Sequence, residues 1–243
     1  MKIVNIIGHL HNAVNSSRYR LQKEVAAFAG NIPAGSMVLD AGAGHAPYRQ
    51  LFDHANYKTA DFMQFENARY GEIDIVCDLT KIPLPDNSVD FILSTQVIEH
   101  VPEFNSALAE FYRLLKPGGL LFCTAPLFYE EHGTPYDYFR FTKYSWQHML
   151  SKHGFKIKRI DGLEGWFGLL GYLFELMARH TPLLGGGAFS ALFMPFVIVF
   201  RVLSLIIAGV FHTLEKLVFI KSEIGYHNYI CEAQKPIEET GQS

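Results

Sequence analysis

The sequence predicts an α/β fold: a largely parallel sheet covered by helices on both faces, with a hydrophobic helical insertion between its last two strands. Three observations carry this reading. Short apolar runs bounded by Gly, Pro, Asn and Asp alternate with stretches whose apolar residues recur at helical spacing, as strands joined by crossover helices do. The first strand-like run opens into a glycine loop, VLDAGAGHAPYRQLF, from Val38 to Phe52. Aromatic and aliphatic residues then crowd the segment from Trp166 to Phe219, just ahead of the last strand.

With 243 residues the chain can bury a sizeable core, and no linker divides its first 160 or so residues. A formal net charge of −3, with Lys and Arg scattered rather than gathered in a stripe, argues against a nucleic-acid partner. Cys77, Cys123 and Cys231 each fall in an apolar strand-like run without CxxC spacing, which fits core thiols in a reducing compartment. The opening MKIVNIIGHLHNAV has one early Lys, but Asn5, Gly8 and two histidines interrupt its apolar run, so no signal peptide is expected.

The elements follow in order. Residues 15–30 (NSSRYRLQKEVAAFAG) offer Asn and Ser caps, apolar Leu21, Val25 and Phe28 at helical spacing, and a glycine stop, so a leading helix is expected. Val38 and Leu39 end the first strand. Gly42 and Gly44 then let the backbone turn tightly and approach a ligand, and Pro47 suits the first turn of a following helix. This loop reads as a nucleotide-type cofactor cradle. YKTADF (57–62) is a second strand ending on Asp61, about twenty residues beyond Asp40, where a carboxylate can accept both hydroxyls of a ribose. IDIVC (73–77) is a third strand with Asp78 at its end. LTKIPLPDNSV (79–89) carries two prolines and an Asp-Asn-Ser cluster and reads as loop, and DFILST (90–95) is a fourth strand. From Pro102 to Leu115, Phe104, Leu108, Phe111 and Leu115 form the stripe of a helix packed on a sheet, stopped by Lys-Pro-Gly-Gly at 116–119. LLFCT (120–124) is a fifth strand. Thr142 caps a helix running to about Lys152, residues 154–160 form a sixth strand and residues 226–234 the last.

PDNSVD (85–90), VIEHV (97–101) and LLKPGG (114–119), behind VLDAGAG (38–44), together resemble the class I S-adenosylmethionine-dependent methyltransferases. The resemblance covers roughly residues 20–160 and the final strand. It implies a Rossmann-like seven-stranded sheet with an antiparallel last strand, S-adenosyl-L-methionine as cofactor, and methyl transfer as the activity. It further implies that Asp40, Gly42 and Gly44 shape the methionine end of the pocket, that Asp61 holds the ribose, that Asp78 and Leu79 flank the adenine, and that Gln96 lies under the cofactor. Two positions depart from the family pattern: Ala46 where a third glycine often stands, and Gln96 where many relatives have Asn. A sulfonium methyl donor has a neutral leaving group, so the protein mainly holds nucleophile, methyl and sulfur in line, and neither a metal cluster nor a catalytic triad is called for. A nicotinamide dehydrogenase also uses a glycine loop and a strand-end Asp, but not PDNSVD and LLKPGG at these positions.

EEHGTPYDYFRFT (130–142) follows the fifth strand and so belongs at the carboxyl end of the sheet, where open α/β folds place substrates. His132 is the candidate general base, with Asp137 or Arg140 to orient it or to grip an acidic substrate group; His100 is a weaker candidate. This stretch is similar to one in methyltransferases associated with surface-glycan assembly, which implies O-methylation of a lipid-linked or membrane-resident acceptor.

The domain layout expected is a methyltransferase domain at 1–165 and 220–236, a hydrophobic helical insertion at 166–219, and a flexible tail at 237–243. In the insertion, Gly168, Gly171, Glu175 and Arg179 lie along one narrow face of a first helix, Trp166 to His180. ThrProLeuLeuGlyGlyGly (181–187) breaks it, and Arg201, Ser204, Ala208, His212 and Glu215 repeat the narrow polar stripe in a second helix, Phe189 to Leu217. The expectation is two helices lying in or dipping into one leaflet at the inner face of a membrane, as a peripheral or monotopic cytoplasmic protein. Lys156, Lys158, Arg159, Lys216 and Lys221 would face the anionic surface. A buried core helix, a lid or a homodimer interface would show the same pattern, and a membrane-anchored pseudo-methyltransferase acting as a scaffold is the non-enzymatic alternative.

Overall fold

The computed structural model describes residues 15–63, 70–181, 188–218 and 226–237. The expectations for residues 1–14, for the 182–187 break, for Lys221 and for most of the tail lie outside the described residues. Two compact units form: Gln22–Asp161 with Asn228–Ser243, and Met1–Leu21 with Gly162–His227.

The first unit is built on strands β1 (Met37–Ala41), β2 (Asn56–Asp61), β3 (Ile75–Val76), β4 (Val89–Thr95), β5 (Leu115–Pro126), β6 (Lys156–Gly162) and β7 (Asn228–Gln234). They make one sheet in the order β3-β2-β1-β4-β5-β7-β6. β1 pairs in parallel with both β2 and β4, and β7 runs antiparallel to β5. The chain therefore builds outward from β1 in one direction and then crosses to β4 on the other side. That reversal opens a crevice at the carboxyl ends of β1 and β4, the place where open α/β sheets bind ligands. Between β5 and β7, Cys123 lies opposite Cys231, both thiols buried and unbonded.

Helices α1 (Ser16–Gly30), α2 (Phe104–Leu114) and α3 (Lys143–Lys152) supply the rest of this core. Val25 and Phe28 of α1 are buried, with the Phe28 ring 4.9 Å from that of Phe122 on β5. The α2 stripe buries Leu108, Phe111 and Leu114, and α3 buries Trp146 behind a Thr142 cap that accepts the Ser145 N–H at 3.1 Å.

Two expectations are corrected. No α-helix follows the glycine loop: the chain makes a 3-10 turn at Arg49–Phe52, which buries only Phe52. With a single apolar anchor, a longer helix has no stripe to bury. Nor does Lys-Pro-Gly-Gly separate α2 from β5. β5 starts at Leu115 and runs through 116–119, because Lys116 pairs with Asp90 at 2.8 Å while the Gly118 N–H donates to the Lys235 carbonyl at 2.8 Å.

The second unit contains α4 (Trp166–His180) and α5 (Ala188–Leu217), at nearly the expected boundaries. The two helices turn their polar stripes toward each other. Gly168, Gly171 and Glu175 of α4 are buried, as are Ser204, Ala208, His212 and Glu215 of α5. Glu215 caps the start of α4, accepting the N–H groups of Gly165 and Gly168 at 3.0 Å each. His212 Nδ1 meets Ser16 Oγ at 2.9 Å, and its Nε2 stands 3.7 Å from Glu175. A Cβ on Gly171 would lie 2.9 Å from the His212 ring, so glycine there lets the helices close. The apolar residues consequently point outward: Val199, Ile206 and Val210 are 56%, 58% and 53% exposed.

Candidate active site

A cavity of about 710 Å³ opens at the carboxyl ends of β1 and β4. Gly42, Gly44, Asp61, Asp78, Leu79 and Gln96 all line it. Gly42 sits at φ +83°, and a Cβ there would lie 2.3 Å from the Val97 side chain, so the loop passes only as glycine. Asp61 Oδ2 accepts the Gly44 N–H at 2.9 Å and its Oδ1 accepts the Met63 N–H at 2.7 Å, which fixes the carboxylate at the strand end. Asp78 Oδ1 is held by the Thr80 N–H and hydroxyl, both at 2.8 Å. The Gln96 side chain donates to Thr124 Oγ1 at 3.0 Å. Ala46, the departure from the glycine pattern, adopts φ +50°, a left-handed conformation that explains why glycine is common at this position.

Asp40 does not line the cavity. It is 2% exposed and accepts a short hydrogen bond from Tyr57 Oη, and burial pushes its carboxyl up to about 7. The sequence reading missed other lining residues, among them His45, Phe62, Tyr70 and Glu103. His45 and Phe62 directly follow Gly44 and Asp61, whereas Tyr70 and Glu103 belong to no motif and reach this wall only through folding.

The signature residues outside the cavity are scaffolding. Asp90 accepts the Met37 N–H at 2.9 Å and pairs with Lys116, while Arg113 pairs with Asp86 at 2.5 Å and with Glu110 at 2.7 Å. PDNSVD and LLKPGG thus hold each other, stabilising the crevice from below.

At the cavity mouth, the VIEHV turn and the 130–142 loop are stitched together. The Tyr138 N–H donates to the Glu99 carbonyl at 2.9 Å, and His100 Nδ1 donates to the Tyr136 carbonyl at 2.7 Å. His100 lines the cavity, and its ring is 4.6 Å from that of His132. Asp137 accepts the His132 N–H at 2.8 Å and lies 3.3 Å from His132 Nδ1. Arg140 grips Asp137 with both terminal nitrogens, at 2.6 and 2.7 Å, and donates to the Glu130 and Phe139 carbonyls. Its guanidinium holds the Asp137 carboxyl well below the usual range. Arg140 thus braces the loop through Asp137, and Asp137 is the carboxylate beside His132. Behind them Glu99 is fully buried, and burial pushes its carboxyl up to about 8; burial likewise lowers His100.

Residues 39–123 match the family described as methyltransferase domain. A Mycolicibacterium smegmatis protein named as an S-adenosylmethionine-dependent methyltransferase is 31% identical over 160 residues, covering 60% of this chain and 61% of that one. A demethylmenaquinone methyltransferase of Staphylococcus epidermidis is 27% identical over 151 residues, covering 54% and 61%. The chain thus spans about three-fifths of the length of these relatives. Among solved structures, a SAM dependent methyltransferase from Archaeoglobus fulgidus shares the fold with a TM-score of 0.56 at 18% identity, covering 94% of this chain and 99% of that one. The reversed sheet order and the glycine-lined cavity at its switch point thus accompany a segment, residues 39–123, that matches a methyltransferase domain.

Proposed function

We propose that this protein transfers the methyl group of S-adenosylmethionine to an oxygen of a lipid-linked or membrane-resident acceptor, glycan or lipid, at the inner face of a membrane. The observation that carries the reading is the pairing of a cavity lined by Gly42, Gly44, Asp61 and Asp78 with a polar cluster at its mouth: His100 stands in the cavity wall and touches His132. With Asp61 and Asp78 engaging the adenosyl end, the sulfonium methyl would face that cluster. His132, oriented by Asp137, activates the acceptor oxygen. One relative is named for a quinone acceptor, which supports an apolar substrate.

The membrane part of the reading rests on α5. The span Leu192–Leu217 is long and apolar enough to cross a membrane, and only 11% of its most apolar window is buried. A core helix of a soluble protein would hide that face; here it stands open over far more than a scattered surface apolar residue explains. A hairpin crossing is disfavoured because α4 has 15 residues, about 22 Å, against a hydrocarbon core of about 30 Å. The insertion also leaves from β6 and returns to β7, its neighbour in the sheet, so it must come back to the side it left. Lying in one leaflet satisfies both constraints. Arg159 is taken by Glu24 at 2.9 Å and Asp161 at 3.1 Å, which leaves the exposed Lys156 and Lys158 as surface charges on β6.

The test pairs calorimetric titration of S-adenosylmethionine and NAD with sedimentation of the full chain on anionic liposomes at low salt. Cofactor binding with pelleting is expected, and Val199→Glu with Ile206→Glu should release the protein to the supernatant. Binding of NAD instead would overturn the methyl-transfer reading, and a wild-type chain that stays in the supernatant would leave a lid or homodimer interface as the role of α5. Tight liposome binding without cofactor binding would favour a scaffold.

A further inference from the structure

We propose that Glu99, His100 and His132 form a site for a divalent transition-metal cation of the Zn²⁺ type, set against the cofactor cavity. The sequence reading called for no metal, and the three residues lie on two segments 32 positions apart in the chain, which only the fold unites. One ligand atom from each lies within 4.8 Å of the other two, and Glu99 Oε1 is 4.0 Å from His132 Nε2. Tetrahedral coordination at about 2.0–2.1 Å sets ligand atoms roughly 3.4 Å apart, so modest side-chain rotations would close the set.

Two further observations point to a cation. Glu99 is 0% exposed, and neither carboxylate oxygen takes a hydrogen bond from another residue among the described ones. A buried carboxyl with both oxygens unpartnered either keeps its proton or exchanges it for a cation, and no Lys or Arg side chain forms an ion pair with it among the described residues. The second observation is the support behind each imidazole. His100 Nδ1 meets the Tyr136 carbonyl at 2.7 Å, and His132 Nδ1 faces the Glu130 carbonyl at 3.2 Å and the Asp137 carboxylate at 3.3 Å. Carbonyls and carboxylates only accept, so Nδ1 is the donor in both rings and Nε2 is the nitrogen that would ligate the cation. Carbonyl or carboxylate acceptors behind the imidazoles are what metal-ligating histidines characteristically have, and Arg140 in turn fixes Asp137. Two imidazoles and one carboxylate suit Zn²⁺, Fe²⁺ or Mn²⁺ with open coordination positions, and suit Mg²⁺ poorly.

The role follows if the methyl-transfer reading above holds. An acceptor hydroxyl taking an open position on the cation loses its proton to water, because the metal lowers the hydroxyl pKa. The alkoxide oxygen then forms its bond to the methyl carbon as the carbon–sulfur bond breaks, and the sulfur keeps that electron pair as a neutral thioether. In this arrangement His132 activates the acceptor oxygen through the cation it holds, and water takes the proton.

The experiment uses full-length protein stripped with chelator. Calorimetry with Zn²⁺ and Mn²⁺ alone, and visible absorption on adding Co²⁺, should show stoichiometric binding with a nitrogen-ligand spectrum, while Mg²⁺ gives none. Glu99→Gln and His132→Ala should each weaken Zn²⁺ binding at least about 10-fold. Wild-type protein that binds no Zn²⁺, or either folded variant binding it as tightly as the parent, overturns the site. Should both variants fail to fold, the wild-type Co²⁺ spectrum still decides, since a spectrum without imidazole ligation would sink the proposal. S-adenosylmethionine titration of the stripped wild-type chain is read separately, so failure of the metal site and failure of the methyltransferase reading give different results.

Discussion

Asp61 shows what one residue does at the cavity: its two oxygens hold the Gly44 and Met63 N–H groups while the carboxylate stays on the cavity wall. Asp61→Ala should weaken S-adenosylmethionine binding by about 1–3 kcal/mol, the cost of leaving polar partners unsatisfied, and calorimetry against the parent checks it. Equal affinity would remove the ribose assignment. Strand-end position and spacing made Asp61 legible, since both are local properties of the chain. The same logic could not foresee that the Asp40 carboxylate takes the Tyr57 hydroxyl, or that Arg140 pairs with Asp137. A side chain's direction depends on which neighbours the fold supplies.

At the scale of elements, the insertion is the instructive case. Helical spacing located α4 and α5 almost to the residue, and it picked out both polar stripes. Which way the stripes turn was not legible, because a polar stripe on an apolar cylinder can face water or a partner helix equally well. Glu215 decides it: a buried carboxylate caps α4 through Gly165 and Gly168, so the stripes meet and the apolar faces look out. Glu215→Ala leaves two N–H groups without their acceptor and should destabilise this helical pair by about 2–4 kcal/mol. Denaturant unfolding should show that loss, and a cost below about 0.5 kcal/mol would mean that the cap contributes little. The missing helix after the glycine loop is the converse failure: Pro47 and local propensity allowed a helix, but only Phe52 had a core to enter.

For the whole molecule, acid sensitivity is a test of the buried histidines. His227, stacked on Tyr172 at 4.3 Å, is buried, and burial pushes its imidazole down to about 3 from an ordinary 6.5. The folded state thus holds it neutral where the unfolded chain would protonate it. Its contribution to stability is complete above about pH 6.5 and falls as pH drops toward 3, by roughly 2–3 kcal/mol between pH 6.5 and 4.5. Asp40 works in the opposite sense, since a raised carboxyl pKa favours the folded state as pH falls below about 7. The decisive measurement is therefore the difference between wild type and His227→Phe, which keeps the stacked ring: the variant should lose less stability on acidification, and parallel curves would refute the assignment.

The sequence by itself determined the α/β class, the cofactor cradle and the two insertion helices. Periodicity, glycine spacing and motif order are local constraints, and the backbone must satisfy them wherever the segments end up. Only the tertiary structure decided that PDNSVD and LLKPGG brace each other, that the insertion turns its polar faces inward, and that Glu99, His100 and His132 share one corner. Those facts depend on contacts between residues far apart in the chain, and burial, which sets their charge and their partners, exists only after the chain has closed around them.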